Sequence, residues 1–434
     1  MTQGIYFSGE LNLKKKDILY LLIIMLSIYI ASRIFFNKSP GDNIPQPPVD
    51  TGESSISLDE DLPEHDLPYE YYYEYQDPEA AETASEPVIN ARSAIVMDFE
   101  TGTVLFEKNA YRKRPMASTT KIMTAIIALE NSDLDEEVLI SQRAANMGGS
   151  VMGLKKDTKV KMIDLLHGLL ICSGNDAAVA IAEHVGGSVE NFCKMMNEKA
   201  LELGAYSTNF SNPHGLDEEN HYTTAYDLAK ITRYALRNHI FNDIVKKTEF
   251  YFDGRTLKTT NEMLTTYEGA DGVKTGYTGL AGRCLVTSAT RDGKRFISVV
   301  LYCDTKNLRT SSSQKILDYS FQEYEKVFLL EKGRIMGSVS VERSRNLDEV
   351  LVAAAEDLKA ILKHNEKDKL YTRVSLPEKV MAPVRRGTIL GTVSVFKGDE
   401  IIAETSLITL DGAQKMRFSD YLVFVLKNWI YISR

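Results

Sequence analysis

The chain has 434 residues, 44% of them hydrophobic, enough for two folded domains with further segments attached. Its formal charge of −9 is local: residues 39–91 hold 14 Asp or Glu and no Lys or Arg, so the rest of the chain is net positive. No basic run is long enough to suggest nucleic acid, and four cysteines without CxxC spacing argue against a zinc ribbon or a thioredoxin-type site.

Lys14, Lys15 and Lys16 precede a nearly uncharged run from Ile18 to Ile30, and apolar character continues to Phe36 past Arg33. This predicts a membrane span within residues 1–38, with Arg33 snorkelling at an interface and the lysines on the cytoplasmic side. A cleaved signal peptide is the competing reading. The long run and the lack of a clear small-x-small site favour an uncleaved anchor, which leaves the remainder on the extracytoplasmic face of the cell membrane. Residues 39–87 hold eight of the twelve prolines, the acidic excess and the tract YEYYYEYQ. Such a segment cannot bury a core and is expected to be an extended, disordered linker.

From residue 88 the pattern turns globular. SAIVMDFETGTVLFEKN predicts two strands joined by a turn at Glu100-Thr101-Gly102. Ser118 to Glu130 reads as a helix, KMIDLLHGLLIC and DAAVAIAEHVG as two more with SGN between them, and 188–204 and 223–238 as amphipathic helices. DGVKTGYT, RCLVTSAT and RFISVVLYC read as strands, the last two joined at Asp292-Gly293, and SSSQKILDYSFQEYEKVF as a closing helix. Strands, then helices, then strands predict an α+β domain over 88–327, an antiparallel sheet with packed helices. Cys172, Cys193, Cys284 and Cys303 are expected as free thiols. A Cys284–Cys303 bridge is the alternative, because those two lie on successive strands.

Residues 328–411 predict a small β-rich domain, with a hairpin around Lys397-Gly398-Asp399. In residues 412–434, Arg417, Asp420, Lys427, Tyr431 and Arg434 fall at helical spacing, mostly opposite Phe418, Leu422, Val425, Trp429 and Ile432. An amphipathic helix lying on a membrane is expected, or one packed on its own domain.

The chemistry gathers in three short patterns. Ser118 and Lys121, at i and i+3, share one helix face. A serine hydroxyl needs a base to take its proton, and a lysine serves only when burial or a second cation lowers its pKa. The plain alternative is a helix-capping Ser118 with a solvated Lys121, but Ile122, Met123, Ala125 and Ile126 surround that lysine with apolar residues. CSGNDAA sets Ser173 and Asn175 between two apolar helices, able to enter a cleft or merely to cap. DGVKTGYTGLAG sets Lys274, Thr275 and Gly276 on a strand, where Lys274 would supply the second cation and Gly276 would admit a close backbone approach. Each pattern alone is weak: Ser312 to Lys315 repeats the first and Ser207 to Asn209 the second.

In this order, Ser-x-x-Lys, Ser-x-Asn and Lys-Thr-Gly resemble the low-molecular-mass penicillin-binding proteins, which are serine-type D-Ala-D-Ala carboxypeptidases. ASTTKIMTA, DLLHGLLICSGNDAAVAIAEHVGG, NFSNPHGLDEENHYTTAYDLA and GVKTGYTGLAG carry the likeness across roughly residues 88–325. The resemblance implies a transpeptidase-like fold, Ser118 as nucleophile, Lys121 as base and Ser173 as proton relay. It implies that Asn175 contacts Lys121 and the substrate, and that Lys274 and Thr275 read a terminal carboxylate. The Ser118 and Tyr277 backbone N–H groups would form the oxyanion hole. Arg309, placed just before the closing helix, would orient the carboxylate. The implied substrates are peptidoglycan stem peptides ending in D-Ala-D-Ala, with β-lactams as covalent inhibitors and no metal or organic cofactor.

Other readings are weaker. A class A β-lactamase needs a water-activating glutamate, and Glu198 reads as helix surface. A zinc peptidase could recruit His214, His221 and Asp227, but no HExxH is present. A non-catalytic peptidoglycan-binding protein would not need the complete motif set. A D,D-endopeptidase of the same family is not separated by these motifs.

Overall fold

The computed structural model describes residues 85–421 and 423. The expected anchor, nearly all of the linker and most of the C-terminal helix lie outside the described residues. Among the described residues no helix is long and apolar enough to cross a membrane.

Strands β1 (Ser93–Asp98) and β2 (Val104–Lys108) form a hairpin. Its turn is fixed by Gly102 at φ +83° and by the Asp98 carboxylate, which accepts from the Thr101 N–H and hydroxyl, both at 2.7 Å. A 3₁₀ turn, Ala117–Thr120, then leads into α1 (Lys121–Asn131). Helices α2 (Met162–Leu170), α3 (Asn175–Gly186), α4 (Val189–Glu202) and α5 (Ala225–Ala235) lie on the helical side, joined by the shorter helix His239–Val245. The chain returns as β3 (Ala270–Thr278), β4 (Gly282–Arg291) and β5 (Lys294–Cys303), followed by α6 (Lys306–Glu323).

The five strands form an antiparallel sheet in the order β2-β1-β5-β4-β3. Alternation sends successive side chains to opposite faces. Ile95, Met97, Val286 and Val299 join Ile122, Ile126 and Leu166 on the helical face. Val96, Phe296 and Val300 join Ile316 and Leu317 of α6 on the other. Both faces are covered, so the central strands bury nearly every residue.

Three expectations need correction. The helix expected from Ser118 begins instead with the 3₁₀ turn, and neither that turn nor α1 has a side-chain cap, so Ser118 is not a capping residue. The closing helix stops at Glu323: Tyr324–Leu330, buried at both ends and alternating half-buried and exposed residues between them, pairs with Leu358–Lys363 as a strand. That helix also starts at Lys306, so Arg309 lies in its first turn rather than before it. As expected, all four cysteines are free thiols, and the alternative Cys284–Cys303 bridge is absent. Register pairs Arg283, not Cys284, with Cys303, so Cys284 lies in the helix-side core and Cys303 in the core under α6. Two small antiparallel pairs, 137–139 with 159–161 and 249–252 with 255–258, had no clear alternation to announce them.

The C-terminal part is β-rich. A six-stranded sheet runs in the order 370–375, 389–397, 400–409, 349–354, 335–342, 379–381, its last pair parallel. The hairpin at Lys397-Gly398-Asp399 is present, with Gly398 at φ +60°. Val339, Val350, Val352, Val393 and Leu407 form its separate core.

Candidate active site

The three sequence patterns meet where the start of α1, the α2–α3 link and the edge strand β3 converge. Ser118 is half-buried on the 3₁₀ turn, and Lys121 one turn later is fully buried. Lys121 Nζ donates to Ser118 Oγ at 2.9 Å, Asn175 Oδ1 at 2.7 Å and the His214 carbonyl at 2.6 Å. Burial pushes the Lys121 pKa well below the ordinary lysine value, and the Lys274 charge lowers it further. In the neutral amine, Asn175 and His214 can keep the two hydrogens, which leaves the lone pair facing Ser118 Oγ. That is the geometry a base needs to accept the serine proton.

Asn175 opens α3, and its own amide fixes its orientation. Nδ2 donates to the Gly148 carbonyl at 2.7 Å, which turns Oδ1 toward Lys121. Ser173 sits two residues earlier, 4% exposed and at φ +65°, a left-handed conformation uncommon outside glycine. Asp176, which the sequence reading passed over, accepts from the N–H groups of Met152, Gly153 and Leu154 at 2.7–3.0 Å. It thereby holds the loop that carries Gly148. The signal was present in SGND: a carboxylate in the first turn of an apolar helix is a ready acceptor for a loop's N–H groups.

On β3, Lys274 is 1% exposed and donates to the Thr275 carbonyl at 3.0 Å. Burial brings its pKa down to about 7, with a contribution from Arg309. The Thr275 and Thr260 hydroxyls lie 2.6 Å apart. Gly276 faces the nucleophile turn: a Cβ there would lie 3.0 Å from both Ser118 N and the Ala117 Cβ. Only glycine lets the strand approach so closely. Tyr277 is 56% exposed, and the Arg283 guanidinium stacks 3.5 Å from its ring centroid.

Arg309 is engaged by Glu262, while its charge still reaches Lys274. Its Nη2 donates to both oxygens of Glu262, at 2.6 and 2.7 Å, and its Nε is buried without a hydrogen-bond partner. Glu262 also accepts from the Thr310 hydroxyl at 2.6 Å. Residues weighed for other chemistries have other tasks. Glu198 is exposed on α4 beside Lys194. Asp227 accepts from the Ser207 N–H and the Thr208 hydroxyl. His214 contributes its carbonyl to Lys121, while burial lowers its imidazole pKa to about 3.

A hydroxyl paired with a buried, low-pKa lysine, beside a second buried lysine on an edge strand, defines a serine acyl-transfer site. Residues 80–305 match the family model described as D-alanyl-D-alanine carboxypeptidase, and residues 324–415 match the C-terminal domain of penicillin-binding protein 5. The chain belongs to the D-alanyl-D-alanine carboxypeptidase family. It is 34% identical over 356 residues to the D-alanyl-D-alanine carboxypeptidase DacF of Bacillus subtilis, covering 80% of this chain and 91% of that one. It is 32% identical over 369 residues to DacC of Escherichia coli, covering 81% and 92%. The structure of penicillin-binding protein 5 from Haemophilus influenzae aligns with a TM-score of 0.68 and 30% identity, covering 76% of this chain and all of that one.

Proposed function

We propose that the protein removes the terminal D-alanine from peptidoglycan stem peptides, with Ser118 as the acylated nucleophile. The observation that carries this reading is the Lys121 Nζ to Ser118 Oγ distance of 2.9 Å, made by a fully buried lysine whose pKa is depressed. Lys121 takes the Ser118 proton as Oγ attacks the carbonyl of the penultimate D-alanine. The developing oxyanion is received by the backbone N–H groups of Ser118 and Tyr277. Ser173 passes a proton to the departing D-alanine nitrogen. Water, with Lys121 again as base, then hydrolyses the Ser118 ester. Lys274 and Thr275 bind the terminal carboxylate, Asn175 binds the substrate amide, and Gly276 admits the peptide backbone. Arg309 orients the carboxylate indirectly, through the positive field it adds beside Lys274.

β-Lactams acylate the same serine, because their strained amide occupies the place of the D-Ala-D-Ala bond. The lysine-flanked apolar run and the acidic, proline-rich linker support a membrane tether that carries this site on the extracytoplasmic face. The amphipathic pattern of residues 412–434 supports a second contact with the membrane.

The test is intact-mass spectrometry after exposure to penicillin, beside Ser118→Ala, with D-alanine release from a D-Ala-D-Ala peptide measured in parallel. A gain of one drug mass that Ser118→Ala lacks, together with free D-alanine, is expected. Folded protein that gives neither adduct nor D-alanine would overturn the reading.

A further inference from the structure

Ser118 follows a residue with an unusual backbone. Ala117 is 1% exposed and sits at φ +48°, in the left-handed region that non-glycine residues seldom adopt. Three contacts over-determine it. The Thr120 hydroxyl donates to the Ala117 carbonyl at 2.8 Å. Gly215 packs so closely on the same carbonyl that any Cβ at 215 would run into it. Gly276 of β3 also approaches this peptide unit, at Ser118 N.

The Ala117 carbonyl and the Ser118 N–H belong to one planar, trans peptide unit, so they point in opposite directions. Whatever fixes the direction of that carbonyl therefore also fixes the direction of the Ser118 N–H, which lies beside Gly276 of β3. A threonine hydroxyl can rotate, and alone it is a loose clamp. His221 removes that freedom. Its Nδ1 accepts from the Ser211 N–H at 3.0 Å, so in the neutral ring the hydrogen is on Nε2. Nε2 lies 2.8 Å from Thr120 Oγ1 and must donate to it. Thr120 in turn can direct its hydrogen only onward, to Ala117. Both side chains are buried, His221 at 5% and Thr120 at 0%, and burial lowers the His221 pKa to about 4, so the ring is neutral near pH 7.

We infer that His221, acting through Thr120, is a positioning residue for the reaction: the directed chain Ser211 N–H to His221 to Thr120 to the Ala117 carbonyl aims the Ser118 N–H at the oxyanion. His221 touches neither substrate nor nucleophile. Its contribution is to preset a donor that is used only when the tetrahedral intermediate forms. It should therefore affect the acylation step rather than initial binding. The inference rests on the reading of Ser118 as the nucleophile.

The test measures acylation by a fluorescent penicillin across drug concentrations, which separates initial affinity from the acylation rate constant, and pairs each value with a thermal midpoint. The variants are Thr120→Val, which keeps shape and loses both hydrogen bonds, His221→Phe, which loses the donor, His221→Gln, which restores an N–H donor, and the Thr120→Val/His221→Phe double. Each of Thr120→Val and His221→Phe should slow acylation tenfold or more with little change in initial affinity. The double should be no slower than the slower single, because one chain has been cut twice. His221→Gln should recover most of the rate, which a purely structural role would not require. If His221→Phe does not fold, Thr120→Val alone carries the same expectation. Folded variants within twofold of the unmodified protein, effects that multiply in the double, or a glutamine variant as slow as phenylalanine would overturn the inference while leaving the nucleophile assignment intact. No adduct on the unmodified protein would overturn both.

Discussion

At the residue scale, the site works against two protonation equilibria of opposite demand. Lys121 must be neutral to act as a base, and its pKa is pushed down by burial and then by Lys274. Lys274 must be charged to hold a carboxylate, and burial brings it to about 7. Raising the pH through the Lys121 pKa switches the base on. Raising it through about 7 strips the charge that attracts the substrate. The expected kcat/KM for a D-Ala-D-Ala peptide is a bell whose alkaline limb reports Lys274 in the free enzyme. In Lys274→Arg, whose side chain stays charged beyond pH 12, that limb should leave the assay range even though the absolute rate falls. An unchanged alkaline limb would remove Lys274 from that role. Much of this was legible in the sequence, because i, i+3 spacing sets two side chains on one helix face whatever else the fold does. The His214 carbonyl was not, since any residue can supply a backbone acceptor. The His221–Thr120 contact spans 101 positions, and no local pattern announces it.

At the element scale, the site exists because an edge strand and a 3₁₀ turn come almost into contact. Gly276 is the point of closest approach. Gly276→Ala should push β3 or the Ser118 turn aside by a few tenths of an ångström. The expected loss in penicillin acylation rate is roughly ten- to a hundredfold, since small misplacements at a reacting centre are costly. The overpacking should lower stability by about 1–3 kcal/mol. Stopped-flow acylation and a denaturant melt would check both, and an alanine variant as fast as the unmodified protein would show that the strand has slack. This strand was legible in the sequence to within one residue because β3, β4 and β5 are long and bounded by turn residues. The end of α6 was not legible, because YEKVF continues an apolar spacing compatible with a helix. Pairing with Leu358–Lys363, far along the chain, decides in favour of a strand.

At the scale of the whole molecule, the β-rich part is joined to the peptidase part by more than a covalent link. Ile361 lies in the same apolar cluster as Leu105, Phe296 and Ile316. The Tyr324 hydroxyl donates to the Leu105 carbonyl at 2.8 Å, and Lys294 Nζ donates to the Tyr324 carbonyl at 2.8 Å. Glu100 pairs with both Lys326 and Lys359. Such a shared core predicts one cooperative thermal transition for both parts. Ile361→Asp places a carboxylate in that core and should split the single calorimetric peak into two. Two peaks in the unmodified protein would mean that the parts unfold independently. That a β-rich part exists was readable from its alternating hairpin. Its attachment was not, because it rests on contacts between residues distant in the chain, such as Tyr324 and Leu105, 219 positions apart.

The placement of the thiols has its own consequence. Cys284 and Cys303 face opposite sides of one sheet, each in a closed core, and burial raises their pKa values to about 11 and about 12. An oxidant cannot join them without first dismantling the sheet, and at neutral pH neither offers a reactive thiolate. The fold therefore matures without a cross-linking step. These two thiols stay apart whether the surroundings are oxidising or reducing.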